Sequence, residues 1–327
     1  MRESVALKDR ILFHWENGLK LTKADLAIDF RRRQPRAFIS HAHADHMARH
    51  AYALCTPETS ALYQLRLGRR PTLEMPYRQP IAWGGLRLTT YPAGHCLGSA
   101  MLLAEDGEQS LLYTGDFKLG PSATAEAAEL PQADLLVLES TYGHPDYRLP
   151  PREEVLQQLF ALVRRTLADG ATPVIVAYTL GKSQEVTRLL TDQQIPVLQH
   201  KEIYRVSEVY EACGMKLGQY EVLRGEARPG WAFVVPPNTP PLEHLPREVR
   251  IAVTGWAVDR AAQYRLRVDH ALPLSDHADY DELFEAVARV APKQIYCTHG
   301  PETFVDRLRD AGYDAHLLGR PSQMRLF

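Results

Sequence analysis

Residues 41–46, His-Ala-His-Ala-Asp-His, constrain this chain of 327 residues more than any other segment. They place four metal-competent side chains within six positions, directly after an apolar run that ends at Ser40. A spacing of two cannot bring two imidazoles to one face of a helix. In a tight loop, however, His41 and His43 reach one ion while Asp45 and His46 turn toward another. The resulting mixture of imidazole and carboxylate ligation suits zinc or manganese. The bland alternative is a solvated histidine-rich turn.

Other polar residues close apolar runs, where a sheet would present them along one edge. Asp29 closes LAIDF, His95 follows YPAG, Asp116 closes LLYTGD and His299 closes IYCTHG. Taken singly, an Asp after a strand is more often a turn former or helix cap than a ligand. Four such residues at similar strand ends, in a chain that already holds the 41–46 cluster, change that balance.

The runs that end in these residues set the fold class. Segments 26–30, 37–40, 86–91, 101–104, 111–114 and 135–138 read as strands of a layered sheet, and 57–67 has helical spacing with Thr56 as N-cap. The Pro- and charge-rich stretch HPDYRLPPREE marks a boundary and opens a helix over 153–168. A β-rich run at 173–178, a helix from 181 to 190 and a strand at 196–199 predict a parallel βαβ unit, which runs at 231–235 and 251–254 extend. The last segment, with a helix at 281–290, a strand at 294–298 and a helix at 302–311, belongs with the first region. The 23 prolines punctuate many short elements, and no repeat or heptad run is present.

Composition excludes several classes of function. A formal charge of −2 rules out a uniform polyanion-binding coat, so any nucleic-acid contact must be local. Four cysteines without a CxxC pair argue against a disulfide framework and against thiolate-bound zinc. The charged N-terminus MRESVALKDR precedes no apolar run of signal or membrane-spanning length, which predicts a cytoplasmic protein without membrane contact.

These residues resemble the metallo-β-lactamase superfamily, whose HxHxDH loop, later His and later Asp build a two-metal centre. Glu139 in LVLESTYG, the TLGKSQEV segment from Thr179, His277 in LSDHADYDEL and His299 in CTHG resemble the motifs of the β-CASP nucleases. That likeness runs over almost the whole chain. It implies an α/β fold, a four-layer αββα metallo-β-lactamase sandwich with an inserted β-CASP domain holding a parallel sheet flanked by helices. The sandwich would span 1–145 and be completed by 271–327, with the insertion at 146–270.

By the same resemblance, His41, His43 and His95 would hold one divalent ion, Asp45, His46 and His299 a second, and Asp116 would bridge them. Asp29 would orient a ligand imidazole. A bridging hydroxide would attack phosphorus, and His277, kept charged and aimed by Glu139, would protonate the leaving oxygen. Ser275, Lys182 and Ser183 are candidate phosphate contacts, and the run Arg31-Arg32-Arg33 is a candidate backbone contact. Lysine and serine after a glycine are also ordinary helix-start residues, and a charge run is usually a solvated face.

The short chain predicts little beyond a catalytic core and a compact insertion. It looks most like the bacterial DNA ligase-associated exonucleases, also described as mRNA 3′-end processing factor-like. This resemblance implies a DNA exonuclease of repair, with DNA favoured over RNA as partner and a DNA ligase and helicase in the same pathway. An RNA-processing ribonuclease is the alternative. More distant readings are a small-molecule metallohydrolase, which would not need Glu139 and His277, and a catalytically silent scaffold, which would have lost ligands.

Overall fold

The computed structural model describes residues 12–224, 228–242 and 247–318; the charged N-terminus and the end of the chain after 318 lie outside these. The chain divides into two compact units. One comprises 1–121, 125–145 and 277–327, and the other 122–124 and 146–276.

The first unit is built on two sheets. In the first, β1 (Phe13–Trp15), β2 (Leu19–Leu21), β3 (Leu26–Ile28), β4 (Arg36–Phe38), β5 (Tyr52–Cys55) and, after helix α1 (Pro57–Leu67), β6 (Thr72–Glu74) lie side by side in sequence order. β3 to β6 are parallel, so β3 and β4 end on the same edge. Thr56 caps α1 as expected, its side chain accepting from the Thr59 amide at 3.2 Å, with Pro57 at the start of the helix where a missing N–H costs nothing.

The second sheet contains β7 (Ile81–Trp83), β8 (Leu86–Pro92), β9 (Ala100–Glu105), β10 (Ser110–Tyr113) and β11 (Leu135–Glu139). Its far side is completed from the second part of the unit. Antiparallel pairing from β7 to β10 gives way to parallel pairing of β10 with β11. β8, β10 and β11 therefore all run the same way.

Alternation explains how this second sheet is buried on both faces. In β9, Ala100, Leu102 and Ala104 join a core with Leu21, Leu26, Phe38 and Leu54 of the first sheet, while Met101 and Leu103 face the opposite core. β10 and β11 repeat the pattern, with Leu111, Tyr113 and Val137 on the inter-sheet side and Leu112, Leu136 and Leu138 on the other.

The second unit holds helices α2 (Arg152–Ala168), α3 (Lys182–Asp192), α4 (Lys201–Ala212) and α5 (Ala262–Leu266) with strands β12 (Thr172–Val176), β13 (Val197–Gln199), β14 (Tyr220–Val222), β15 (Ala232–Val235), β16 (Glu248–Val253) and β17 (His270–Leu272). The strands form one sheet in the order β14-β13-β15-β12-β16-β17, and every pair in it is parallel. Ile175, Val197, Val234 and Ile251 pack under Val155, Leu159, Val186 and Ile203 of the helices, and Val174, Leu198 and Phe233 face the other way. This is the parallel sheet with flanking helices that the βαβ pattern predicts. Helix α4, which follows His200, adds to the elements expected from the sequence.

The chain returns to the first unit at His277. Helix α6 (Tyr280–Val290), strand β18 (Gln294–Thr298), helix α7 (Glu302–Asp310) and strand β19 (Ala315–Leu317) complete it. β18 pairs in parallel with β11, and β19 with β18. Leu283, Val287 and Val290 of α6 and Phe304, Val305 and Leu308 of α7 cover the outer face of the second sheet. With α1 beside β6 on the first sheet, tied by Ser60 and Thr72 hydroxyls 3.1 Å apart, the order of layers is αββα.

Candidate metal centre

Strand direction explains why the chemistry collects on one edge of the first unit. Asp29 follows β3, His41 follows β4, His95 follows β8, Asp116 follows β10, Glu139 ends β11 and His299 follows β18. Within the second sheet β8, β10, β11 and β18 are co-directional, so the residues at their C-terminal ends share an edge. A backbone bond from Ala100 N to Ser40 O, 2.8 Å, joins the two sheets there.

Two turns on this edge need glycine. Gly115 sits at φ +56°, where an added Cβ would lie 2.8 Å from the Ser40 Cβ. At Gly300, beside His299, a Cβ would fall 2.1 Å from the Ser140 carbonyl oxygen. Both positions bring a ligand-bearing turn closer to the neighbouring backbone than any side chain permits.

Three imidazoles converge. His43 Nδ1 lies 3.0 Å from His41 Nε2 and 3.1 Å from His95 Nε2, and the Asp116 carboxylate is 3.5 Å from His41 Nε2. Ligands at 2.0–2.1 Å around a tetrahedral zinc are about 3.3 Å apart, so this set has the spacing that a cation would impose. Three imidazoles and a carboxylate whose potential ligand atoms all lie within 4.8 Å of one another could hold a divalent ion.

A second set shares Asp116. His46 Nε2 is 3.3 Å from the Asp116 carboxylate and His299 Nδ1 is 4.0 Å from it. These three could hold a metal ion, as could the group of His41, His43, His95 and Asp116. Asp45 stands at the rim of the second set, its carboxylate 3.9 Å from His46 Nε2 and 54% exposed.

Asp29 organises the centre from behind. Its carboxylate accepts from the Ser40 amide (2.8 Å), the Ser40 hydroxyl (2.5 Å), the Tyr113 hydroxyl (2.8 Å) and His46 Nδ1 (2.8 Å). With Nδ1 engaged, His46 presents Nε2 to Asp116. Ser40 and Tyr113 were missed by the sequence reading. A tyrosine within the aliphatic run of β10 was the available signal, since a buried phenol needs a partner.

Burial, then the neighbouring His46, pushes His41 well below the ordinary imidazole range, which keeps it neutral as a ligand must be. His299 is lowered for the same two reasons. Burial opposes charge on His46 as well, but Asp116 and Asp29 outweigh it and hold that imidazole well above its usual value. Burial likewise works against ionised Asp116, and His46 and His277 overcome it, so the carboxylate stays ionised.

Glu139 and His277 form a pair beside this centre. His277 Nδ1 meets Glu139 Oε1 at 3.0 Å, and His277 Nε2 lies 4.0 Å from the Asp116 carboxylate. Glu139 is itself fixed by the amides of Phe117 (3.1 Å) and Thr141 (3.3 Å). The three candidate phosphate contacts fall in the second unit. Lys182 is buried there with its ammonium 2.9 Å from Glu185, the Ser183 hydroxyl donates to the Tyr178 carbonyl at 2.7 Å, and Ser275 is buried. Among the described residues no helix is long and apolar enough to cross a membrane.

Residues 263–318, which include His277 and His299, match the family described as the Zn-dependent metallo-hydrolase RNA specificity domain. A protein named Probable DNA ligase from Opitutus terrae is 38% identical over 319 residues, covering 95% of this chain and 31% of that protein. The 5′ exonuclease Apollo of Rattus norvegicus is 28% identical over 315 residues, covering 85% of this chain and 54% of its own. The chain thus spans about a third of the first relative and about half of the second. A crystal structure of a protein of unknown function from Enterococcus faecalis V583 shares the fold, with a TM-score of 0.61 and 17% identity over 88% of this chain and 80% of that one. The chain belongs to the β-CASP nuclease branch of the metallo-β-lactamase superfamily.

Proposed function

We propose that the protein hydrolyses phosphodiester bonds of nucleic acid with two divalent ions, zinc or manganese, and that it acts as a DNA exonuclease in repair. The observation that carries the reading is the Glu139–His277 pair set against Asp116. Metal ligation alone would serve a small-molecule hydrolase equally well. A histidine held through Nδ1 by a buried carboxylate, with Nε2 4.0 Å from the Asp116 carboxylate, is placed to supply the proton that a poor alkoxide leaving group needs.

His41, His43, His95 and Asp116 would hold one ion, and Asp116, His46 and His299, with Asp45 at the rim, the other. Bound there, the ions supply Lewis acidity toward the phosphate and acidify water enough for attack near neutral pH. Asp29 keeps His46 in one orientation. Glu139 binds the Nδ1 hydrogen of His277, which leaves Nε2 as the atom that delivers a proton to the departing oxygen. Phe117 and Thr141 amides hold Glu139 still while this happens.

Likeness over 95% of this chain to the Opitutus protein named Probable DNA ligase supports DNA as substrate and a DNA ligase as partner; the helicase of the same pathway rests on the resemblance to ligase-associated exonucleases alone. Cysteines at 55, 96, 213 and 297, spaced without a CxxC pair, accord with the reducing cytosol proposed for the protein. The match of residues 263–318 to a domain described by RNA specificity favours a second reading, an RNA-processing nuclease. Purified protein with manganese or zinc, given end-labelled single- and double-stranded DNA and RNA, tests both. Stepwise loss of nucleotides from DNA is expected. Cleavage of RNA alone would select the second reading, and no cleavage of any polynucleotide would overturn the nuclease assignment.

A further inference from the structure

Residues 31–70 contain eight arginines, no lysine and only two carboxylates, Asp45 and Glu58, in a chain whose formal charge is −2. The fold ties the arginine-bearing segments together around the metal-binding loop. Gln34 N donates to His50 Nδ1 at 3.1 Å and Ala51 N to Gln34 O at 2.9 Å. The Tyr63 hydroxyl of α1 donates to Ala48 O at 2.7 Å and accepts from His50 N at 3.2 Å. Two guanidinium groups reach into the loop itself. Arg31 Nε donates to Asp45 O at 3.1 Å, and Arg66 Nη1 donates to Ala42 O at 2.7 Å, between His41 and His43.

Further out on this rim, Arg32, Arg33, Arg49 and Arg69 are exposed, and none makes a side-chain hydrogen bond or ion pair among the described residues. An ordinary solvated face mixes signs, so that its charges pair. Here Asp45 is already 3.6 Å from the Arg31 guanidinium, and Glu58 lies in the first turn of α1, at the end away from Arg66 and Arg69. A set of cations without counter-charges, bordering a centre that would cut a phosphodiester, calls for an anion supplied from outside.

We infer that Arg32, Arg33, Arg49 and Arg69 form a docking rim for the sugar-phosphate backbone of the polynucleotide being cut, with Arg31 and Arg66 anchoring the rim to the metal-binding loop. This rests on the nuclease reading and adds where the strand is held. Backbone contacts carry no base information, so the rim binds by charge and releases counterions as it does so.

The test is equilibrium binding of fluorescent 20-nucleotide oligothymidylate and oligouridylate to the metal-free full chain in EDTA, across a series of KCl concentrations. Binding to a single strand weakens with a log–log slope of about −0.7 for each phosphate contact. The triple variant Arg32→Ala, Arg33→Ala, Arg49→Ala should flatten the wild-type slope by about 2 and weaken binding at low salt by roughly tenfold or more. The corresponding triple lysine variant should retain the slope, which a merely structural role for these residues would not predict. A wild-type slope in the alanine variant, or no binding by the wild type, overturns the rim. Hydrolysis of bis(p-nitrophenyl) phosphate by the wild type with manganese reports on the phosphodiesterase reading separately.

Discussion

Glu139 holds the imidazole of His277 through Nδ1 at 3.0 Å, from a buried position where both of its own oxygens accept backbone amides. The carboxylate cannot swing away without leaving those amides unpaired, which would cost about 1–3 kcal/mol for each buried group. The ring is therefore held in one tautomer and one direction. His277→Ala should lower the rate of cleavage by about a hundredfold or more, the usual scale of general-acid loss, with metal content unchanged. Glu139→Gln should give a smaller loss, of about tenfold, because an amide still accepts from Nδ1 but carries no charge. Elemental analysis alongside kcat separates these from metal-site defects, and an unchanged rate in His277→Ala removes it from the chemistry.

Asp116 belongs to both groups that could hold a metal ion, with His41, His43 and His95 and with His46 and His299, so its loss should act on both. Asp116→Ala is expected to abolish turnover and to lower bound metal in both sites, read as metal per chain after gel filtration. Full retention of two ions by this variant would show that Asp116 does not bridge.

Asp29 bonds His46 directly and reaches His41 by way of the Ser40 hydroxyl, so its substitution should be graded rather than absolute. Asp29→Asn should weaken metal affinity by about 10- to 100-fold, the usual effect of removing a carboxylate behind a ligand imidazole. Tyr113→Phe removes one of the donors to the same carboxylate and should destabilise the fold by about 1 kcal/mol while keeping activity measurable. A chelator competition and a urea titration measure the two effects.

Gly300 faces the Ser140 carbonyl so closely that an added methyl would sit 2.1 Å from its oxygen. Gly300→Ala should destabilise the first unit by roughly 2 kcal/mol or more and displace His299, because backbone rather than a flexible side chain must move. Gly107, at φ +92° with nothing within 4 Å, offers a control in which only the backbone strain of roughly 1–2 kcal/mol applies. Equal unfolding midpoints for the two variants would contradict the close approach.

Much of the centre was legible in the sequence because rare chemistry stood at strand ends. His41, His43, His46, His95, Asp116 and His299 are conspicuous where apolar runs stop, and strand direction then brings them to one edge. Ser40 and Tyr113 were not legible as partners of Asp29, since a hydroxyl in a strand has many possible acceptors and only the folded register chooses one. Lys182 shows a similar limit. Its charge is visible in TLGKSQEV, whereas its 2.9 Å contact with Glu185, one helical turn on, appears only once α3 is folded and buried.

In the fold, long periodic elements were readable and short ones were not. The reading of 57–67 coincides with α1, and 294–298 with β18. Strands of three residues such as β6 and β14 have too few positions to display alternation, and they exist because a neighbouring strand offers them a ladder. Parallel pairing in the second unit followed from the strand–helix–strand spacing, but the order β14-β13-β15-β12-β16-β17 depends on contacts distant in sequence.

The most direct test of the account is a crystal structure of the protein grown with manganese, with the ions located by anomalous scattering. Two peaks about 3.5–4 Å apart are expected, with the Asp116 carboxylate between them, His41, His43 and His95 on one side and His46 and His299 on the other. A single peak, or peaks that leave Asp116 unliganded, would contradict it.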